Sequence, residues 1–399
     1  MARLFCDALN PLLRALRNGE AVQAGSGQDS RLFLFLALAL AAVIAHFPYR
    51  VDLNPGGIPV GLDVGLYINW LSQMVGRSPV DALVYAFTGP GPSSRPFLLI
   101  SLYSVASLLR IQPDLVMKGL PVVLAMGLVA SSYLFVRLGG GGEQMGALTA
   151  ILTACSSAVT VGIWASYYAN WLGLIEAYLF LGFLLSSVRI PSVRKQVVLV
   201  ALSLALLFTH PWTWILIMVV AGGFIASHRK SEKFRPLLVS FVVIVFANIV
   251  VESVKTLVLS AFGVPAAGEY LVGQTPDPLH NLLTIWPNTI DGVVLTYSGL
   301  LATSIALGLA FLFTFRLRYV DNFQRLLLFW ILVASVPFCF LSGYLQTRII
   351  YDLPIPVLTA GGLIMMLSRI ESRSPLRVFL LLTVVLLNVS YALRSMLIV

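Results

Sequence analysis

Charge is scarce in this chain: 11% of its 399 residues are Asp, Glu, Lys or Arg, while 58% are hydrophobic. So few polar side chains cannot coat a soluble body of this size, which excludes a water-soluble globular protein. Cysteine is nearly missing. Cys6, Cys155 and Cys339 stand in unrelated contexts, so neither a disulfide framework nor a zinc site is expected. Strict two-residue alternation is absent, which excludes a membrane β-barrel. No clear internal repeat argues for an inverted-repeat transporter. The run Gly139-Gly140-Gly141-Gly142-Glu143 lacks the Lys-Ser/Thr of a phosphate loop and the strand before it, and reads as a tight turn.

What is present is a series of apolar runs. The windows 237–251 and 378–387, with their flanks, match the roughly 20 residues a helix needs to cross about 30 Å of hydrocarbon. An all-α, polytopic transmembrane protein is expected. The net charge of +9 comes from short basic clusters between the apolar runs. Arg189, Arg194 and Lys195 form one, residues 228–235 another, Arg316, Arg318 and Arg325 a third, and Arg369, Arg373 and Arg377 a fourth. That is the positive-inside bias, so no nucleic-acid partner is implied.

Residues 1–31 are too polar for a signal peptide and read as a cytoplasmic amphipathic segment. The first span, 32–49, leads to His46-Phe47-Pro48-Tyr49 instead of a small-residue cleavage site, so it is expected to stay uncleaved. Placing every basic cluster on the cytoplasmic side requires that 97–110 does not cross. About eleven spans then result, with the N-terminus inside and the C-terminus outside. The expected units are an extracytoplasmic loop at 50–114, a transmembrane core at 115–261, a second loop at 262–290 and the last spans within 291–399. Between 197–210 and 212–227, Pro211 favours a tight hairpin over one broken helix.

Several polar residues stand out against this background. Val60–Val75 has helical amphipathic spacing and reads as an interfacial helix with Tyr67 and Trp70 at headgroup depth. Asp63 falls in its first turn, where the helix dipole favours a carboxylate; plain helix capping is the alternative. Asp52 reads as solvated and Asp81 as a turn residue. Arg348, at a membrane boundary, suits a phosphate oxygen pair, or else anchors its span or pairs with Asp352. His210 could bind phosphate or accept a proton, or pack with Trp212 and Trp214.

Glu176 and Glu252 lie inside apolar runs, where an ionisable group is costly. Lys255 can pair with Glu252, but Glu176 has no local partner. It follows Tyr167, Tyr168 and Asn170 and either lines a substrate cavity or bonds within the bundle. The 262–290 segment carries Glu269 and His280 among many turn formers, and reads as a lid or an ordered cap.

Gly61-Leu62-Asp63 with Tyr67 after an uncleaved first span resembles the acidic motif of the C-type (GT-C) superfamily of polytopic glycosyltransferases, which use polyprenyl-phosphate-linked sugars. Protein O-mannosyltransferases and lipid A aminoarabinose transferases belong to it. Arg95-Pro96-Phe97-Leu98-Leu99 resembles its proline-led juxtamembrane segment, and Trp164–Asn170 its polar turn after the third span. Thr347–Pro356, with Arg348 and Tyr351, resembles the arginine and proline segment that opens a late span. Family members commonly carry a second acid near the first, whereas Val64 follows Asp63 here.

The resemblance implies a hexosyl- or pentosyltransferase in the cell membrane. It would move a sugar from a polyprenyl-phosphate donor to a lipid, glycan or protein acceptor at the extracytoplasmic face, with inversion. Asp63 would be the base and Arg348 and His210 the donor-phosphate binders. Tyr67, Arg95, Tyr167, Tyr168, Asn170, Glu176, Glu269, His280 and Tyr351 would line the cavity. No cofactor is required; a lone carboxylate with phosphate oxygens could hold a divalent cation, though no second protein ligand is evident. A transporter or flippase built on Glu176, Glu252 and Lys255, and a noncatalytic component of an envelope-glycan complex, are the competing readings.

Overall fold

The computed structural model describes residues 27–89, 91–261, 304–317, 321–340, 343–371 and 374–397. These residues are all-α. The first half of the chain forms α1 (Gly27–His46), α2 (Val64–Val75), α3 (Pro79–Thr88), α4 (Pro96–Leu109), α5 (Pro113–Gly139), α6 (Gly142–Ala154), α7 (Ser157–Trp164) and α8 (Tyr168–Arg189). The second half forms α9 (Val193–Thr209), α10 (Pro211–Ala226), α11 (Phe234–Ala261), α12 (Ser304–Thr314), α13 (Asn322–Phe340), α14 (Gly343–Tyr351), α15 (Ile355–Leu367) and α16 (Pro375–Ser395).

Local signals set many of these boundaries. Proline opens α3, α4, α5, α10 and α16, where its missing N–H costs nothing. The side chains of Ser78, Ser192 and Ser374 accept backbone N–H groups at the starts of α3, α9 and α16. At the end of α5, Gly140 takes φ 85° while the Gly141 N–H reaches back to Val136 O, a Schellman stop.

Among the described residues six stretches of helix are long and apolar enough to cross a membrane by themselves: 31–49, 113–139, 142–164, 168–189, 234–260 and 375–395. Five shorter apolar helices accompany them, and 96–109 is one of these. The expected span at 146–164 falls within the crossing stretch 142–164, which bends at Cys155 and Ser156 between α6 and α7. The expected span at 349–368 is likewise interrupted: α14 ends at Tyr351 and α15 starts only at Ile355, with Pro354 at the break. Proline bars the residue before it from helical geometry.

α5 and α8 pack together at the centre, with α1 and α6 against α5, α9 beside α8, and α15 joining α12 to α6. Phe135, Tyr178 and Trp330 fill the middle with ring centroids 5.4–5.9 Å apart. α9 and α10 form the hairpin that Pro211 favours. Trp214 Nε1 donates to Ser203 Oγ at 3.1 Å, a contact that a continuous helix could not make across eleven residues. α2, α3 and α4 gather against one another, and α4 also touches α9.

Asp81 lies otherwise than expected, whereas Asp52 is solvated as expected. Asp81 is helical, in the first turn of α3, where its carboxylate accepts from Ser78 Oγ at 2.7 Å. The exposed Asp52 is held by Arg50 at 2.5 Å.

Candidate functional site

The site begins with a close approach of two loops. Gly61 takes φ 132°, and a Cβ there would lie 2.1 Å from Ser166 Oγ and 2.7 Å from Ile163 O. Only glycine fits. The Gly61–Asp63 turn then docks on the 164–166 turn: Leu62 N–H donates to Trp164 O at 2.8 Å, and Asp63 N–H to Ser166 Oγ at 3.2 Å. Asp63 precedes α2 instead of lying in its first turn, and its side chain makes no capping bond. Its carboxyl is partly exposed and close enough to the Tyr168 phenol to act on it electrostatically.

Tyr67, one turn into α2, is fully buried within the protein, so its ring does not face lipid. Its ring meets Trp70 at 5.3 Å and Tyr168 at 5.2 Å, both edge-on. Arg95 Nη1 donates to the Tyr67 hydroxyl at 2.6 Å, and its guanidinium lies 5.4 Å from the Tyr67 ring and 5.5 Å from that of Trp70. Two aromatic faces thus hold an arginine at the start of α4.

Arg348, in the last turn of α14, donates through Nη1 to Asn170 Oδ1, and its guanidinium sits 3.9 Å over the Tyr167 ring. Tyr167 packs edge-on against Tyr351 at 5.7 Å, and the Tyr351 hydroxyl donates to Ala158 O at 2.7 Å. Arg348, Arg95, Tyr167, His210 and Asp63 are each partly exposed, whereas Tyr67, Tyr168 and Asn170 are buried. Partly exposed polar groups therefore border a packed aromatic wall.

His210 feels the charge of both arginines. It occupies the break between α9 and α10 and caps α10, with Nδ1 accepting the Thr213 N–H at 3.3 Å. Gly173 of α8 makes room for it, since a Cβ there would be 3.2 Å from His210 Cβ. Burial and then the charges of Arg348 and Arg95 hold its imidazole well below the ordinary range, so it is neutral. Nδ1 is also 2.7 Å from Thr213 Oγ1, and Thr213 Oγ1 is 2.7 Å from Asp352 Oδ2. Asp352 lies in the α14–α15 break; burial pushes its carboxyl up to about 7, against the Thr213 bond and Arg348.

Glu176 lies two turns below Asn170 on α8, buried, with Oε1 accepting from Thr209 Oγ1 at 3.1 Å and Oε2 without a hydrogen-bond partner. Asn170, Gly173 and Glu176 thus turn one face of α8 toward the α9–α10 break. Glu252 is elsewhere, paired with Lys255 on its own helix at 2.5 Å as the spacing predicts. Glu269 and His280 lie outside the described residues, as does the whole 262–290 segment. Thr213, Ser166 and Asp352 were not singled out as site residues from the sequence. A hydroxyl three residues after a helix-capping histidine was the one local signal for Thr213.

Around Asp63 the donors are one carboxylate and the Ser166 hydroxyl. That set falls short of the six or more oxygens a hard divalent cation takes. Among the described residues no three His, Cys, Asp or Glu side chains form a metal set. A cavity of about 570 Å³ opens near Gly140, Arg189 and Asn322. Arg189 ends α8 and Tyr168 begins it, about 33 Å away, so this cavity is at the opposite end of the bundle.

No family model matches the chain, and no curated protein matches it by sequence. Among solved structures it is similar to the crystal structure of the Archaeoglobus fulgidus oligosaccharyltransferase in the apo form, with a TM-score of 0.62 and 12% identity. The similarity covers 91% of this chain and 56% of that one, so this chain spans little more than half of the protein it matches. At that identity the likeness shows the fold alone: an all-α, polytopic arrangement in which several helices are long and apolar enough to cross a membrane.

Proposed function

We propose that this protein is a membrane glycosyltransferase that moves a hexosyl or pentosyl group from a polyprenyl-phosphate donor to a lipid, glycan or protein hydroxyl. The observation that carries this reading is that Arg95, through Tyr67 and Tyr168, and Arg348, through Asn170, both meet the start of α8, where Asp63 docks on Ser166 and whose next turn packs against His210. Two guanidiniums and a neutral imidazole suit a lipid phosphate, whose negative charge grows as the sugar leaves. Asp63, partly exposed and without a capping bond, is free to take the acceptor proton. Direct attack from the face opposite the phosphate then gives inversion.

In this reading the Asp63 end is extracytoplasmic, the basic helix ends that include Arg189 are cytoplasmic, and the shorter helices complete the crossings within the bundle. The N-terminus is inside and the C-terminus outside. Tyr351, packed on Tyr167, supports the acceptor side, while Glu176 bonds within the bundle through Thr209.

The test is transfer by the purified protein in lipid nanodiscs, offered radiolabelled polyprenyl-phosphate sugars and crude membrane acceptors. Labelled product that is lost in Asp63→Asn and reduced in Arg348→Ala is expected. No product from any donor, or undiminished product in Asp63→Asn, overturns the assignment.

A further inference from the structure

Asp352, Thr213 and His210 form a line of heteroatoms with two short gaps, Oδ2 to Oγ1 and Oγ1 to Nδ1, both 2.7 Å. Each gap needs one proton, and the threonine hydroxyl has only one to give. The line therefore has a direction. Thr213 N–H also points at Nδ1, at 3.3 Å, so Nδ1 carries a lone pair. The Thr213 hydroxyl then donates to Nδ1, and the proton in the other gap belongs to Asp352. His210 is neutral with its own proton on Nε2.

The surroundings favour this order. Asp352 is 4% exposed, and its Oδ1 has no hydrogen-bond partner, which suits the carbonyl oxygen of a neutral acid better than half of an ionised carboxylate. The charged and titratable groups facing the line are Arg348 and Arg95 from α14 and α4, Tyr178 from α8, and Glu176 through Thr209. The reverse order is reached when Nε2 gives up its proton and the two protons in the line each move one place, so it holds one proton fewer. It leaves Asp352 ionised, Nδ1 protonated and Nε2 bare.

We propose that Asp352 and Thr213 are positioning residues that deliver a proton through His210 to the departing phosphate. This rests on the transferase reading, in which His210 meets the donor. As the bond between the anomeric carbon and the phosphate oxygen breaks, its electron pair stays on that oxygen. Nε2 gives it a proton, Nδ1 takes one from Thr213, and Thr213 takes one from Asp352. One proton has then passed from Asp352 to the phosphate, while Asp63 holds the acceptor's. Exchange with water restores both acids.

The test reads the tautomer of His210 without any sugar donor, so its outcome is separable from that of the transfer assay. Protein labelled with ¹⁵N-histidine in nanodiscs is followed by solid-state NMR from about pH 5 to about pH 9, spanning the range where histidine charge changes matter. His210→Gln assigns the signal. Native protein is expected to pass from the Nε2–H to the Nδ1–H tautomer while staying neutral. Asp352→Asn stays in the Nε2–H form throughout, Thr213→Val loses the transition, and Thr213→Ser keeps it. A single tautomer across the range in native protein, or a Thr213→Val variant that titrates like it, overturns the relay. In the transfer assay Asp352→Asn should lower kcat by roughly 10²-fold with little change in KM for the donor. An unchanged kcat also overturns it.

Discussion

Gly61 and Ser166 come so near that a single methyl group on Gly61 would sit 2.1 Å from the Ser166 hydroxyl oxygen. That contact fixes where the chain carrying Asp63 lies against the turn before α8. Ser166 itself has φ 53°, an uncommon conformation for a non-glycine residue. Both partners of the contact are thus conformationally constrained.

Gly61→Ala should therefore act on Asp63 at a distance. The unfavourable backbone region costs about 1–3 kcal/mol, and the clash pushes the segment away from Ser166. Thermal unfolding in detergent should show a loss of that order. Transfer should fall in parallel with Asp63→Asn. A variant with full activity would mean that the docking does not place the carboxylate.

Tyr67→Phe removes only the hydroxyl that Arg95 meets at 2.6 Å. The buried ring stays, so the packing loss is small. A hydrogen bond to a charged group is worth about 1.5–3 kcal/mol, and here the loss falls on the placement of Arg95. The expected result is roughly tenfold weaker donor binding, read as KM, with kcat less affected. An unaltered KM would separate Arg95 from the donor.

Asp352 makes stability depend on pH with a defined sign. Its folded value, about 7, lies above its ordinary 3.8, so the fold favours the protonated form. The stability it contributes is complete below 3.8 and is lost as pH rises through about 7. Across that window the loss is at most about 1.4 kcal/mol per pH unit. Melting of native protein relative to Asp352→Asn, followed between these limits, should show the native chain falling behind as pH rises. A constant difference would contradict it.

Glu176→Gln discriminates transfer from transport. Oε1 accepts one bond from Thr209 and Oε2 none, so a neutral amide is accommodated in place of the carboxyl. Transfer should be retained, with stability changed by no more than about 1 kcal/mol. A transporter using this carboxyl would lose function in the same variant. Retained transfer with Glu176→Gln and lost transfer with Asp63→Asn is the pattern a transferase gives.

Much of the architecture was legible in the chain because it follows from local rules. Long apolar runs give spans, Pro211 gives the α9–α10 hairpin, and a lysine three residues after Glu252 gives its partner. The interruption at Asp352 was not, because Tyr351–Pro354 is flanked by residues apolar enough to read as one continuous span. Tyr67 was misplaced for a related reason. An amphipathic period says which residues share a face, but not whether that face meets lipid headgroups or, as here, Tyr168 and Arg95.

The sequence by itself determined that this is a helical membrane protein, since chemistry that cannot be hydrated must be buried in lipid or in protein, and helices satisfy their own backbones there. It also offered Asp63, Arg95, His210 and Arg348 as separate polar points. Only the tertiary structure decided that Arg95 and Arg348, far apart along the chain, both reach side chains at the start of α8, and that Thr213 stands between His210 and Asp352. Contacts of that kind arise from how α4, α8, α10 and α14 pack. Packing depends on the shapes of many side chains at once, and no spacing along one strand of sequence encodes it.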